Sequence, residues 1–223
     1  MYRKWHALVL ALVVVGWLLA FGGQGSADQI LAEFDVFSVT ASWYPSLLQE
    51  GKEWVAQTFE ATASGTVYSV DLVLGSQPEN NPDNLPLKVQ IRTTYEAGFN
   101  GIVPSDTVIS EGSIAYDDNQ FSTSYSWKRI SLSSADLNAG DMYAVVVKTD
   151  CETDEAYKWY GKWKSGTDLY PDGREVILLT GGQWNFSAGD LGFRVNGPVP
   201  EPGTVVLLGL GGTGLLLYRR RRR

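Results

Sequence analysis

The sequence predicts an all-β protein: an antiparallel β-sandwich of jelly-roll type, flanked by an N-terminal signal peptide and a single C-terminal transmembrane helix. Three observations support this architecture. Short runs with period-two alternation and many β-branched and aromatic residues recur along the middle of the chain. Turn residues separate these runs at regular intervals, and no segment there has a long amphipathic helical period. About ten such strands are typical of a two-sheet sandwich.

The strands follow one another without a linker between them. They are predicted at residues 36–43, 53–60, 66–75, 87–93, 108–116, 125–132, 142–148, 157–163, 175–180 and 191–196. In the fourth of these, Leu87, Val89 and Ile91 are expected to face the core, with polar residues between them facing outward. Glycine, proline and asparagine between the runs, as at 98–104 and 138–140, predict turns.

The N-terminal segment has the pattern of a secretory signal peptide. Two basic residues precede an apolar stretch at 7–21, and small residues follow up to Ala27. We therefore expect signal peptidase to cleave after Ala27. The alternative, a retained signal anchor, fits less well because the apolar run is short for a span. The β-sandwich domain is then predicted at residues 28–196.

The C-terminal segment, residues 197–223, has three parts. Pro200, Glu201 and Pro202 come first, and the prolines keep the peptide extended. An apolar run at 204–218 follows, which as a helix would cover roughly 22 Å of a hydrocarbon core about 30 Å thick. A cluster of arginines follows, which is predicted to stop transfer through the membrane and to stay in the cytoplasm. This cluster consists of Arg219, Arg220, Arg221, Arg222 and Arg223.

These three parts, in this order, closely resemble the PEP-CTERM sorting signal of Gram-negative bacteria. The resemblance implies recognition by an exosortase, a membrane-embedded cysteine protease, with cleavage near Pro200-Glu201-Pro202. It also implies transient anchoring in the inner membrane, then release or transfer to the cell surface, commonly alongside exopolysaccharide production. Exosortase and signal peptidase are the processing partners that follow from the two ends.

The middle of the chain resembles the jelly-roll surface domains of the choice-of-anchor type, which occur in exported bacterial proteins. The resemblance lies in the stretches at 55–65, 87–94 and 137–147 and extends over most of residues 53–195. It implies the sandwich fold and no enzyme activity.

The composition excludes several function classes. The chain has 18 basic and 25 acidic residues; seven basic and one acidic residue lie in the two ends, which leaves 11 and 24, or a net charge near −13, in the exported part. Such a charge repels nucleic acid. The only histidine, His6, lies in the signal peptide, which excludes Ser-His-Asp and Cys-His mechanisms. Cys151 is the only cysteine, so no intrachain disulfide forms.

An aromatic cluster is the candidate ligand site, because Trp and Tyr rings stack on sugar faces. Its members are Trp159, Tyr160, Trp163, Tyr170 and Trp184. The alternative is that these rings pack in the core, and alternation along 157–161 requires one face of that strand to do so.

No cofactor is expected, with structural calcium as the one open alternative. An acidic loop could supply its oxygen ligands, although a solvated loop explains the same residues. The candidate ligands are Asp150, Glu152, Asp154 and Glu155.

The sequence favours an exported, non-enzymatic surface or extracellular-matrix protein that contacts polysaccharide. Two alternatives remain open: a carbohydrate-active enzyme with paired carboxylates on the sandwich, and a calcium-stabilised structural module.

Overall fold

The computed structural model describes residues 28–48, 52–76, 85–98, 101–115, 125–149, 157–165, 167–179, 182–187 and 189–198. They belong to one compact unit, Asp28–Pro198. All strand pairings among these residues are antiparallel and divide into two sheets. The predicted fold class, an antiparallel β-sandwich, is confirmed.

Thirteen strands lie within the described ranges. They are β1 (Gln29–Phe34), β2 (Ser42–Leu48), β3 (Lys52–Glu60), β4 (Gly65–Ser76), β5 (Leu87–Glu96), β6 (Ile102–Ile114), β7 (Ser126–Leu137), β8 (Met142–Thr149), β9 (Tyr157–Trp163), β10 (Glu175–Leu179), β11 (Gln183–Phe186), β12 (Asp190–Leu191) and β13 (Phe193–Gly197).

The two sheets are called sheet A and sheet B. In sheet A the strand order is β1-β13-β4-β9-β12, with β7 paired to β4 and β2 paired to β9. In sheet B the order is β11-β10-β3-β8-β5-β6. Strands close in sequence often lie in different sheets, so residues far apart in the chain become neighbours on each face.

The main core lies between the two sheets, where alternate residues of the facing strands meet. Phe59 of β3 and Phe193 of β13 pack across it with ring centroids 5.5 Å apart. Burial of each large apolar side chain stabilises the fold by about 1.5–3 kcal/mol. The largest completely buried side chains are Trp159, Tyr157, Phe59, Phe193, Leu31, Leu72, Leu74, Leu87, Ile91 and Ile130.

Two glycines allow β9 to approach the chain at β12 closely. A Cβ atom on Gly161 would lie 2.1 Å from the carbonyl oxygen of Asp190, so no larger residue fits there. The N–H of Gly192 donates to the carbonyl of Tyr160 at 3.0 Å, and the Gly192 carbonyl accepts a hydrogen bond from the indole of Trp159 at 2.8 Å. These contacts hold Trp159 toward the core.

The predicted strand at 36–43 is wrong, because a turn occupies its first half. The Asp35 carboxylate accepts the N–H of Phe37 at 3.1 Å, and the Asp35 carbonyl accepts the N–H of Ser38 at 3.0 Å. Aspartate favours such turns by bonding its own backbone two residues on. The chain then forms β2, which contains Pro45; β9 is its only ladder partner among the described strands, and proline is tolerated on such edge strands.

Three further differences concern strand boundaries and phase. Strands β1 and β11 were not predicted, the predicted strand at 191–196 is divided at Gly192 into β12 and β13, and β6 begins at Ile102, within the predicted turn at 98–104. In β4 the pairing register with β7 shifts between Val67 and Ser69. This bulge puts both Val67 and Val70 in the core, although simple alternation predicts that they face opposite ways.

The predicted signal peptide at 1–27 and the predicted transmembrane helix both lie outside the described residues. Within the described ranges, no helix is long and apolar enough to cross a membrane.

Candidate functional site

Two of the five aromatic residues predicted to bind glycan lie in the core. Trp159 is completely buried on the inward face of β9, where it bonds to Gly192. The Tyr170 ring packs 5.7 Å from Phe34 and 5.5 Å from Phe193, and burial raises the pKa of its hydroxyl well above the ordinary value. Both are therefore corrected to core residues, since neither ring presents a face to solvent.

The other three predicted residues lie in three different places. Trp184 is buried on the outer face of sheet B, 6.3 Å from Trp54. Trp163 is exposed at the last position of β9, and Tyr160 faces outward from the middle of the same strand. The structure thus does not bring the five residues together, and only Tyr160 belongs to the group described next.

A group of five neighbouring rings, two exposed and three partly buried, lies on the outer face of sheet A. It consists of Phe37, Trp43, Tyr125, Trp127 and Tyr160, and we call it the aromatic patch. The ring of Tyr125 lies 4.3 Å from Trp43 and 4.8 Å from Tyr160, and Phe37 lies 5.4 Å from Trp43 and 6.0 Å from Trp127. Phe37 is 51% exposed and Trp43 is 37% exposed. Tyr125, Trp127 and Tyr160 are partly buried and pack against the core, so the exposed part of the patch centres on Phe37 and Trp43.

Four separate segments position these rings. Phe37 belongs to the turn after Asp35, and Trp43 lies in β2. Tyr125 directly precedes β7 and Trp127 is its second residue, so alternation places the two rings on the same side. Tyr160 lies on the outer face of β9, and the pairing of β2 with β9 brings Trp43 to that face.

Two cations contact the tryptophans of the patch. The Lys162 ammonium lies 3.8 Å from the ring centroid of Trp43 and donates to the carbonyl of Ala41 at 3.2 Å. The Arg194 guanidinium lies 4.2 Å from the ring centroid of Trp127. Such cation–π contacts contribute about 0.5–2 kcal/mol each. They restrain both indoles, so a ligand would meet rings that are already oriented.

Two carboxylates lie at the rim of the patch beside Arg194. The Arg194 Nε donates to Glu33, and its second terminal nitrogen lies 3.3 Å from the Asp35 carboxylate. Asp35 also fixes Phe37 through the N–H bond of the turn. The rim therefore contains polar groups that are connected to the aromatic rings through the fold.

The polar residues farther along this face of sheet A pair with one another. Arg129 donates to both oxygens of Asp71 at 2.8 and 3.0 Å and lies 2.6 Å from Asp28. Asn196 also donates to Asp71, at 3.1 Å. The hydrogen bond from Tyr68 lowers the pKa of Asp28, and the bond to Asp71 raises the pKa of Arg129. This network satisfies its own charges within the fold.

The outer face of sheet B is covered by the protein itself. Val103, from the β5–β6 hairpin, packs into an apolar cluster that we call the outer cluster. Trp54 borders the cluster, with the Arg92 guanidinium 4.3 Å and the Lys148 ammonium 4.8 Å from its ring centroid. A Cβ atom on Gly101 would lie 3.1 Å from the Phe186 ring, so the hairpin also lies against β11. The outer cluster consists of Ala56, Val103, Ala144, Val146, Val176, Leu178 and Trp184.

A buried carboxylate lies in the interior near β12. Asp190 is 6% exposed, and one of its oxygens accepts the N–H groups of Leu169 and Tyr170, both at 3.2 Å. Burial, with a smaller contribution from the charge of Asp168, raises the pKa of Asp190 to about 6. Nearby, the side chain of Gln57 accepts the N–H of Leu191 at 2.8 Å. These contacts assign Asp190 a structural role.

The predicted calcium ligands Asp150, Glu152, Asp154 and Glu155 lie outside the described residues. In the part of the chain that the structure does describe, no group of three histidine, cysteine, aspartate or glutamate side chains is placed to hold a metal ion.

The geometry of the aromatic patch suits a ligand with a flat apolar face. Exposed tryptophan and tyrosine rings bury the C–H face of a sugar, and polar groups at the rim accept or donate hydrogen bonds to hydroxyls. Asp35, Ser38 and Ser42 are the polar residues next to Phe37 and Trp43 in the chain.

Comparison with known protein families gives one match, at residues 198–223, to the PEP-CTERM protein-sorting motif. No curated protein sequence is significantly similar to the chain. The matched segment includes Pro200, Glu201 and Pro202 and the five arginines at 219–223. The sequence prediction of this motif is confirmed. The motif implies an exported protein that an exosortase sorts at the membrane and that then reaches the cell surface.

Proposed function

We propose that the protein is a non-enzymatic surface or extracellular-matrix protein that binds polysaccharide through the aromatic patch. The observation that supports this is the exposure of Phe37 and Trp43 beside three partly buried rings, whereas Trp54 and Trp184 of sheet B pack into the outer cluster. Exposed apolar area is unfavourable by about 25 cal/mol per Å², and continuous exposed patches often mark binding sites. A ligand that covers the rings recovers this free energy.

Polysaccharide is the occupant that best fits both the surface and the sorting motif. A sugar ring presents a C–H face that stacks on an indole and hydroxyls that reach a polar rim. Exopolysaccharide is also the material that commonly accompanies proteins with this kind of sorting signal, as the resemblance implies. The proposed place of action is the extracellular polysaccharide layer or biofilm.

The proposed route to that place has three steps. Signal peptidase removes residues 1–27, the apolar run at 204–218 anchors the chain transiently in the inner membrane, and exosortase cleaves near Pro200-Glu201-Pro202. The first and second steps rest on the sequence patterns of the two ends.

Binding without catalysis is supported by the chemistry of the exported chain. It has no histidine, which removes the commonest general base. Asp190, whose pKa is raised, uses its carboxylate to accept backbone N–H groups in the interior. We propose that the protein needs no cofactor.

The test is affinity electrophoresis of the secreted protein in native gels that contain hydroxyethyl cellulose, barley β-glucan or galactomannan. We expect at least one polymer to retard the protein. The double variant Trp43→Ala/Tyr160→Ala should lose at least about tenfold in affinity, since each stacked aromatic ring contributes about 0.5–1.5 kcal/mol beyond its buried area. Added calcium or chelator should leave the affinity and the melting temperature unchanged.

Trp163→Ala is the matched control, because Trp163 is as exposed as Trp43 and lies on β9 but makes no ring contact within the patch. It should bind like the unmodified protein. Loss of binding in Trp163→Ala but not in the double variant would reject the patch as the site. Release of reducing sugar ends would contradict the non-enzymatic proposal, and a melting temperature that falls with chelator would favour the calcium-stabilised alternative.

A further inference from the structure

We infer that the aromatic patch selects uncharged polysaccharide and rejects acidic polysaccharide such as a polyuronate. The inference rests on the proposed binding of glycan at this patch and adds the charge class of the ligand. It is based on the contacts of the two cations that touch the patch and of the two carboxylates at its rim.

The first cation is withdrawn from solvent. Lys162 is only 6% exposed, because its ammonium group lies against the ring of Trp43 and donates to the Ala41 carbonyl. A carboxylate on a sugar bound over the exposed part of Trp43 therefore cannot pair directly with this ammonium. Lys162 acts as a positioning residue for the indole.

The second cation is already neutralised within the fold. Arg194 makes ion pairs with Glu33 and with Asp35, while its guanidinium lies over Trp127. One positive charge thus faces two negative charges at the rim, and the excess is negative. An incoming carboxylate would have to displace one of these partners, of which Asp35 also holds the turn next to Phe37.

The charge of the whole exported part also opposes the binding of acidic polysaccharide. A net charge near −13 produces a negative field around the domain, and at physiological ionic strength this field extends about 8 Å from the surface. A polyuronate has a negative charge on every residue, so its approach is opposed along its length. An uncharged polysaccharide has no such penalty and gains the same stacking.

The experiment compares hydroxyethyl cellulose with polygalacturonate as ligands of the secreted protein. The test variant is Glu33→Gln/Asp35→Asn, which removes both rim charges but keeps an oxygen acceptor for Arg194 and for the Phe37 N–H. The matched control, Glu111→Gln/Asp141→Asn, removes two exposed carboxylates elsewhere in the fold. Melting curves verify that the variants are folded.

We expect the unmodified protein to bind the neutral polymer at least about tenfold more tightly than polygalacturonate, because like charges at an interface are strongly unfavourable. The rim variant should bind polygalacturonate about fivefold more tightly than the unmodified protein, as expected for two charges removed within several ångströms of the ligand. Its affinity for hydroxyethyl cellulose should change by less than its affinity for polygalacturonate, because the two substituted side chains keep an amide oxygen for sugar hydroxyls but not the negative charge. The control variant should change the affinity for polygalacturonate, and that for hydroxyethyl cellulose, by less than the rim variant does.

A second measurement needs no variant. Added sodium chloride screens repulsion, so it should strengthen polygalacturonate binding by the unmodified protein. Tighter binding of polygalacturonate than of the neutral polymer, or weakening of that binding by salt, would overturn the charge selectivity while leaving glycan binding intact. If neither polygalacturonate nor any of the three neutral polymers binds the unmodified protein or the rim variant, the proposed function is rejected and the inference with it.

Discussion

The outer faces of the two sheets use aromatic residues in opposite ways, although cations contact tryptophan rings on both. On sheet B, Trp54 and Trp184 close the outer cluster, and the β5–β6 hairpin covers it. On sheet A, Phe37 and Trp43 remain in water, although Lys162 and Arg194 contact the patch much as Arg92 and Lys148 contact Trp54. The distance from the cation to the ring centroid is 3.8 Å for Lys162, 4.2 Å for Arg194, 4.3 Å for Arg92 and 4.8 Å for Lys148.

The two faces differ in whether burial in the fold accounts for their aromatic residues. The aromatic residues of sheet B complete a second apolar cluster, so their burial stabilises the fold and explains their presence. On sheet A, Phe37 and Trp43 stabilise the fold less, because much of their surface stays in water. We therefore place the proposed binding site on sheet A, where Phe37 and Trp43 keep much of their surface in water.

The largest expected effect is on stability and contrasts one tryptophan from each face. Trp184→Ala should lower the free energy of unfolding by about 3 kcal/mol, because it removes a buried ring and leaves a cavity in the outer cluster. Trp43→Ala should lower it by about 1 kcal/mol or less, since an exposed ring loses only its contacts with Tyr125, Phe37 and Lys162. Urea denaturation of the secreted protein and both variants measures these values. Equal losses would contradict the assignment of Trp43 to binding.

A smaller effect concerns two carboxylates with opposite pH dependence. Asp190 in the interior has a pKa of about 6, above the 3.8 of an ordinary aspartate, so the folded protein holds its proton more tightly than the unfolded chain does. Its contribution to stability is therefore present at low pH and is lost as pH rises from about 4 to about 7, by on the order of 2 kcal/mol. Asp28 on the outer face of sheet A has a lowered pKa. Its contribution to stability is therefore present at pH values above the ordinary aspartate pKa and is lost as pH falls below it.

Asp190→Asn isolates the interior group, because the amide keeps an oxygen for the N–H groups of Leu169 and Tyr170. The measurement is the difference in unfolding free energy between the unmodified protein and this variant across that pH range. As pH rises, the unmodified protein should lose free energy of unfolding relative to the variant. A difference independent of pH would show that Asp190 ionises normally in the folded protein.

Alternation along the chain predicted much of the fold, because side-chain burial follows strand period. In β9 it predicted that Tyr157 and Trp159 share one face and Tyr160 the other, and the structure buries the first two. It did not predict the turn after Asp35, where a side-chain hydrogen bond outweighs β-propensity, or β2, where Pro45 interrupts the pattern. Residues 204–218 are predicted as a helix from the sequence alone.

The aromatic patch could not be predicted from any single segment. Its rings come from the turn after Asp35, from β2, from the start of β7 and from β9, and only the pairing of these strands in sheet A brings them together. One local signal was present: Tyr125 and Trp127 are two residues apart, which places both rings on one side of a strand. Trp184 was predicted to be at a surface site because the sequence does not show that the β5–β6 hairpin covers sheet B.

The most direct test is oxidative footprinting of the secreted protein, with mass spectrometry, in the presence and absence of the neutral polymer that binds it. We expect the polymer to protect Phe37, Trp43 and Tyr160 from oxidation and to leave the equally exposed Trp163 unchanged. Protection at Trp163, or at Trp54 on sheet B, with the patch unprotected would contradict the assignment of glycan binding to sheet A.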